Sequence, residues 1–148
     1  MAFGYSYRLE PEENGWWLVR FPAVPEALTE GETKAEARAN APDCVLAALE
    51  GYIRSGRPLP REAEGREPDR VVLPSLVTAK LAVYETMRSL GWSKARLAKE
   101  LDVPENTVRR LLDLRHSSHM KAIDEAMATM KTELPIDLPP ARPKRKAA

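Results

Sequence analysis

Hydrophobic positions alternate along the first thirty residues and recur at helical spacing from residue 33 onward. Phe3, Tyr5, Tyr7 and Leu9 take every second position of the opening segment, the period of a strand with one buried face. Residues 11–15 (PEENG) make a polar turn whose Asn14-Gly15 pair suits positive φ, and Trp17, Val19 and Phe21 then mark the apolar side of a hairpin partner. Pro22 and Pro25 stop regular pairing, and Ala27-Leu28-Thr29 predicts a brief third strand before Gly31. Thr33-Lys34-Ala35-Glu36 reads as a capping box opening a helix, along which Ala41, Val45, Ala48, Leu49 and Tyr52 form one stripe. Pro42 lies well inside that helix and predicts a kink or a break near residues 38–42. Ser55-Gly56 ends it. Residues 57–69 (RPLPREAEGREPD) have almost nothing to bury and read as an exposed loop or linker, while Arg70-Val71-Val72-Leu73 predicts one more strand.

The second half is helical throughout. Leu76, Val83, Met87 and Leu90 mark a helix that ends at Gly91. Residues 93–113 (SKARLAKELDVPENTVRRLLD) read as a helix-turn-helix. Ser93 caps the first helix, with Trp92 and Leu97 at the spacing of a hydrophobic staple. Asp102-Val103-Pro104 breaks that helix and Pro104 opens the next at its first position. Val108, Leu111 and Leu112 then face inward, leaving Glu105, Asn106, Arg109 and Arg110 outward; a plain helical hairpin with a solvated charged face is the competing reading. Ser118 is expected to cap a last helix with Met120, Ile123, Met127 and Met130 on one face, a stripe that suits core or dimer packing. Residues 134–138 (LPIDL) could form an edge strand, and residues 139–148 (PPARPKRKAA) read as a disordered basic tail.

Charge separates the two halves. The net charge is only +1, yet residues 1–70 carry 9 Lys/Arg against 13 Asp/Glu, and residues 71–121 carry 9 against 5. An acidic module beside a basic one implies different partners, with phosphate matching the basic half. The single cysteine, Cys44, excludes an internal disulfide and a cysteine-based zinc site, and its place in an amphipathic helix suits a small core residue. His116 and His119 are three apart with no other ligand type nearby, so no metal or cofactor is expected. No apolar run approaches the roughly 20 residues of a membrane span, and a cytoplasmic protein is expected.

A helix with its apolar side docked and Asn/Arg at its exposed start suits the major groove. Asn106, Thr107 and Arg110, with Glu105 or Arg109, are the candidates for base edges; Lys94, Arg96, Lys99, Arg115 and Lys121 are the candidates for phosphates.

Several of these segments carry a family resemblance. The tyrosine-bearing strand, the Gly15-Trp16-Trp17 hairpin, the Phe21-Pro22…Pro25 corner and Thr29-x-Gly31-x-Thr33 before a capped helix resemble HicB-family antitoxins. Leu73-Pro74, Lys80-Leu81-Ala82-Val83-Tyr84, Leu97-Ala98 and Arg110-Leu111-Leu112-Asp113-Leu114 are similar to the subset with a C-terminal helix-turn-helix. The resemblance implies an α+β chain: a partial ribonuclease H-like β-β-β-α-β module over residues 1–73, then an all-α helix-turn-helix domain over 74–134. It further implies a non-enzymatic antitoxin that blocks a HicA-like ribonuclease toxin and binds operator DNA as a homodimer or tetramer, repressing its own operon. Asp102 stands where that family usually has glycine before the recognition turn, and Val103-Pro104 where a Ser or Thr cap is frequent. Ribonuclease H chemistry needs a carboxylate midway along the first strand, where this chain has Tyr5-Ser6-Tyr7-Arg8. Glu10, Glu12 and Glu13 lie at the end of that strand or in the turn, and on the acidic half they are candidates for contact with a basic toxin. A stand-alone regulator with an N-terminal ligand-sensing module is the alternative function.

Overall fold

A computed structural model describes residues 3–62 and 67–133. The possible strand at 134–138 and the tail at 139–148 lie outside the described residues.

The N-terminal half follows the expected β-β-β-α-β order within an α+β fold. β1 (Gly4–Pro11) and β2 (Trp17–Arg20) form a hairpin in which Leu9 faces Val19 and Pro11 faces Trp17. Its turn is closed by the Glu12 N–H on the Trp16 carbonyl at 2.9 Å and by the Trp16 N–H on Asn14 Oδ1 at 2.9 Å, with Gly15 at φ +85°. β3 (Leu28–Gly31) pairs with β2, and β4 (Asp69–Val72) returns antiparallel to β1, giving the order β3-β2-β1-β4. Tyr5, Tyr7, Val19, Phe21 and Val71 are buried, but Gly4 and Ser6 are buried too, so β1 is covered on both faces over its first half rather than alternating as the sequence suggests.

α1 (Lys34–Arg54) lies on this sheet through buried Ala37, Ala41, Val45, Leu49 and Tyr52. Thr33 caps it by accepting the Glu36 N–H at 3.1 Å, but the return bond of the box is displaced by one residue: Glu36 Oε2 accepts from the Glu32 N–H at 3.1 Å. Gly31 lies tight against the first turn, where an added Cβ would sit 2.9 Å from the Ala37 Cα. Pro42 does not break α1. The helix runs through it as one segment, and because Pro42 is exposed the carbonyl that lacks its N–H partner can turn to water.

α2 (Ser75–Leu90), α3 (Lys94–Leu101), α4 (Glu105–Leu112) and α5 (Met120–Thr129) make up the second half. Leu90 and Met120, expected on apolar faces, are exposed. Three expectations about ends and links change. Pro104 is the N-cap of α4 rather than its first helical residue. His119, not Ser118, is the N-cap of α5; the Ser118 hydroxyl instead accepts from Lys80 Nζ at 2.8 Å. Residues 57–62 are not a free linker. Leu59 is buried, its N–H donates to Glu85 Oε1 at 2.8 Å, the Tyr5 hydroxyl donates to the Pro60 carbonyl at 2.8 Å, and the Ser6 N–H donates to Glu62. The local composition hides this because each partner lies more than 20 residues away.

Candidate functional site

The α3–α4 pair is built by caps at each end of a short turn. Ser93 accepts the Arg96 N–H at 3.0 Å to start α3, and Trp92 is half-buried against the core cluster that includes Leu97. The Arg96 guanidinium lies 4.4 Å over the Trp92 ring. α3 ends in a Schellman turn, with the Asp102 N–H on Lys99 O at 3.1 Å and the Val103 N–H on Ala98 O at 3.0 Å. Asp102 takes φ 55°, ψ 49°, a left-handed conformation that Asp tolerates better than most residues with a side chain.

α4 docks through buried Val108, Leu111 and Leu112. Glu105, Asn106, Thr107, Arg109 and Arg110 are all exposed, so the structure brings the base-reading candidates to one helix with its apolar side covered. Arg109 pairs with Glu105 at 3.2 Å, one turn earlier. Pro104 supplies no side-chain cap, which leaves the start of α4 open.

The phosphate candidates divide. Lys94, Arg96 and Lys99 are exposed on α3, and Lys121 reaches Glu125 at 3.9 Å on α5. Arg115 is committed elsewhere: Nη1 meets Asp43 at 2.7 Å and Nε meets Glu50 at 2.6 Å, both on α1. His116 Nδ1 lies 3.1 Å from the Ser118 hydroxyl.

Lys80 was not among the sequence candidates, yet it supports α4. It is fully buried on α2, with Nζ donating to the Arg110 carbonyl at 2.9 Å and to Ser118 Oγ at 2.8 Å. Burial pushes its ammonium down, partly offset by the Asp113 carboxylate. A cation at the carbonyl end of α4 also complements the helix dipole. The available signal was a lysine amid Val77, Leu81, Val83 and Tyr84, an apolar setting that demands a paired charge.

The three acidic candidates of the N-terminal half occupy different settings. Glu10 is held between Arg8 at 3.2 Å and Arg20 at 3.3 Å. Glu12 turns against Glu30 of β3, one carboxylate oxygen is shut off without a hydrogen-bond partner, and its carboxyl is pushed up by desolvation and then by Glu30. Glu13 is exposed in the turn. Among the described residues no grouping of three or more His, Cys, Asp or Glu could hold a metal ion, and no helix is long and apolar enough to cross a membrane.

Comparison with known proteins adds a family. The family described as HicB-like antitoxin of bacterial toxin–antitoxin systems matches residues 4–82, from β1 into α2. Antitoxin HicB 2 of Photorhabdus laumondii is 33% identical over 132 residues, 89% of this chain and 94% of that protein. Antitoxin HicB of Escherichia coli K12 is 29% identical, covering 89% of this chain and 96% of its own. Antitoxin HicB of Pseudomonas fluorescens is 33% identical, covering 86% and 88%. With its sheet and first helix inside the matched region and its relatives aligned across both halves, the chain belongs to the HicB-like antitoxin family, whose role is non-enzymatic.

Proposed function

We propose that this antitoxin binds and blocks a small, basic HicA-like ribonuclease with its N-terminal module, and represses its own operon by placing α4 in the major groove of operator DNA. The observation that carries the DNA half is the outward row Glu105, Asn106, Thr107, Arg109 and Arg110 on a helix docked by Val108, Leu111 and Leu112. Asn106, Thr107 and Arg110, with Glu105 or Arg109, approach base edges, where a bidentate Arg or Asn contributes about 1–3 kcal/mol of discrimination. Lys94, Arg96, Lys99 and Lys121 contact phosphates, and Arg115 joins them only by leaving Asp43 and Glu50. The acidic N-terminal half supports the toxin contact by charge complementarity. A homodimer or tetramer would read half-sites about 34 Å apart, or a multiple of that. An operator and a ribonuclease toxin as partners support a cytoplasmic protein.

A competition assay between operator and unrelated DNA tests the reading. Arg110→Ala is expected to cut operator preference about tenfold, whereas Lys99→Ala weakens all sequences alike and lowers the salt slope by about one. Intact operator preference in Arg110→Ala would overturn the assignment of α4.

A further inference from the structure

Among the described residues the sheet has an open side at β3, the last strand in its order, which pairs there only with β2. Between that edge and the flank of α1 lies an open groove lined by Glu26, Leu28, Asn40, Asp43, Cys44 and Ala47. We infer that this groove is where the toxin docks, and that the docking element is an extended segment carrying lysine or arginine. The inference rests on the toxin-binding role proposed above and names its surface.

Backbone, shape and charge each support it. The Asn40 side chain donates to the Glu30 carbonyl at 3.0 Å, which fixes that carbonyl on the outer edge of β3. Strand alternation then puts the Leu28 N–H and C=O on the same outer side, available to an added strand. Leu28 lines the groove and is 50% exposed, a large apolar residue left uncovered on the edge strand. Ala47 presents only a methyl group from α1, leaving room for a partner's backbone. Residues 26–43 carry five carboxylates (Glu26, Glu30, Glu32, Glu36, Asp43) against Lys34 and Arg38; Glu26 and Asp43 line the groove itself, in solvent-exposed pairs with Arg57 and Arg115 that an incoming cation would have to exchange. Glu10 stands level with Glu30 across the sheet but two strands in from the edge, and Glu13 lies in the β1–β2 turn, so neither lines the groove. A basic ribonuclease is the partner whose charge this edge complements.

The test uses the full-length chain and the small basic protein that co-purifies with it from its own host. Affinity is measured by calorimetry for the unaltered chain, Leu28→Lys, Ala47→Arg and the control Asp124→Lys on α5. Alkylation of Cys44 by a maleimide is timed with and without the partner. Leu28→Lys and Ala47→Arg are expected to weaken binding at least about tenfold, with Asp124→Lys within about twofold. The bound partner should slow Cys44 alkylation, and the Ala47→Arg chain should keep its melting temperature and operator affinity. If the unaltered chain binds while both groove variants bind as tightly and Cys44 reacts at an unchanged rate, the groove is not the docking surface and the antitoxin function stands. If the unaltered chain binds no such protein, the proposed toxin contact fails and this inference with it.

Discussion

Desolvation shifts several ionisable side chains, and two of them, Glu12 and Lys80, each yield a stability prediction. The Glu12 carboxyl is raised in the folded state by desolvation and by Glu30, so the native protein holds more protons than the unfolded chain as pH rises through that group. Stability therefore falls with rising pH across this window, and ionised Glu12 is a liability at neutral pH. Glu12→Gln is expected to raise the urea midpoint at pH 7 and to lose that advantage near pH 4, measured by denaturation at both. Lys80 behaves differently because its buried ammonium donates to the Arg110 carbonyl and to Ser118. Lys80→Ala leaves a cavity and strips the Arg110 carbonyl of one of its two donors, the Asp113 N–H at 3.2 Å remaining, and is expected to cost about 3 kcal/mol in equilibrium unfolding, chiefly through the cavity. A loss under about 0.5 kcal/mol would show that α4 does not depend on this anchor.

The elements were legible wherever period and capping agreed locally. Tyr5 and Tyr7 in the core, Asn14-Gly15 in the turn, Thr33 and Ser93 as caps, and Gly56 and Gly91 at helix ends all stand where the sequence places them. Exceptions arose where a distant residue competes for a local group. Ser118 has the chemistry of a cap, but buried Lys80 takes its hydroxyl. Pro42 has the chemistry of a breaker, but packing of Ala41, Val45 and Leu49 on the sheet holds α1 continuous across it. Pro42 is thus a local cost, and Pro42→Ala is expected to raise unfolding stability by about 1–3 kcal/mol. Asp102 is a smaller cost of the same kind. Asp102→Gly should raise stability by about 1 kcal/mol and leave the α3–α4 turn unchanged, read by denaturation together with operator affinity. If Asp102→Gly lowers stability, its side chain makes a contact that the turn geometry does not reveal.

At the scale of the whole molecule, the halves are joined by contacts that no local pattern announces. The Tyr84 hydroxyl donates to the Arg57 carbonyl at 2.7 Å, Arg88 donates to the Gly56 carbonyl at 3.1 Å, and Arg57 pairs with Glu26 at 3.0 Å while lying over the Tyr52 ring. Arg115 adds its two carboxylates on α1, so the loop after α4 is tied to the helix that covers the sheet. Charge counting assigned Arg115 to phosphate because partners 65 and 72 positions away are invisible to spacing. Arg115→Gln should speed amide exchange in residues 113–119 while leaving exchange in β1 and β2 unchanged. Asp43 belongs both to this ion pair and to the lining of the β3–α1 groove.

The central claim is that one half of the chain silences a ribonuclease while the other half reads DNA. The most direct measurement is RNA cleavage by the small basic protein that co-purifies from the native host, titrated with full-length chain. Cleavage should fall to background as the antitoxin reaches stoichiometric amounts, and Arg110→Ala should inhibit as well as the unaltered chain while losing operator preference. Cleavage that continues under excess antitoxin, or recovery of DNA without any protein partner, would contradict it.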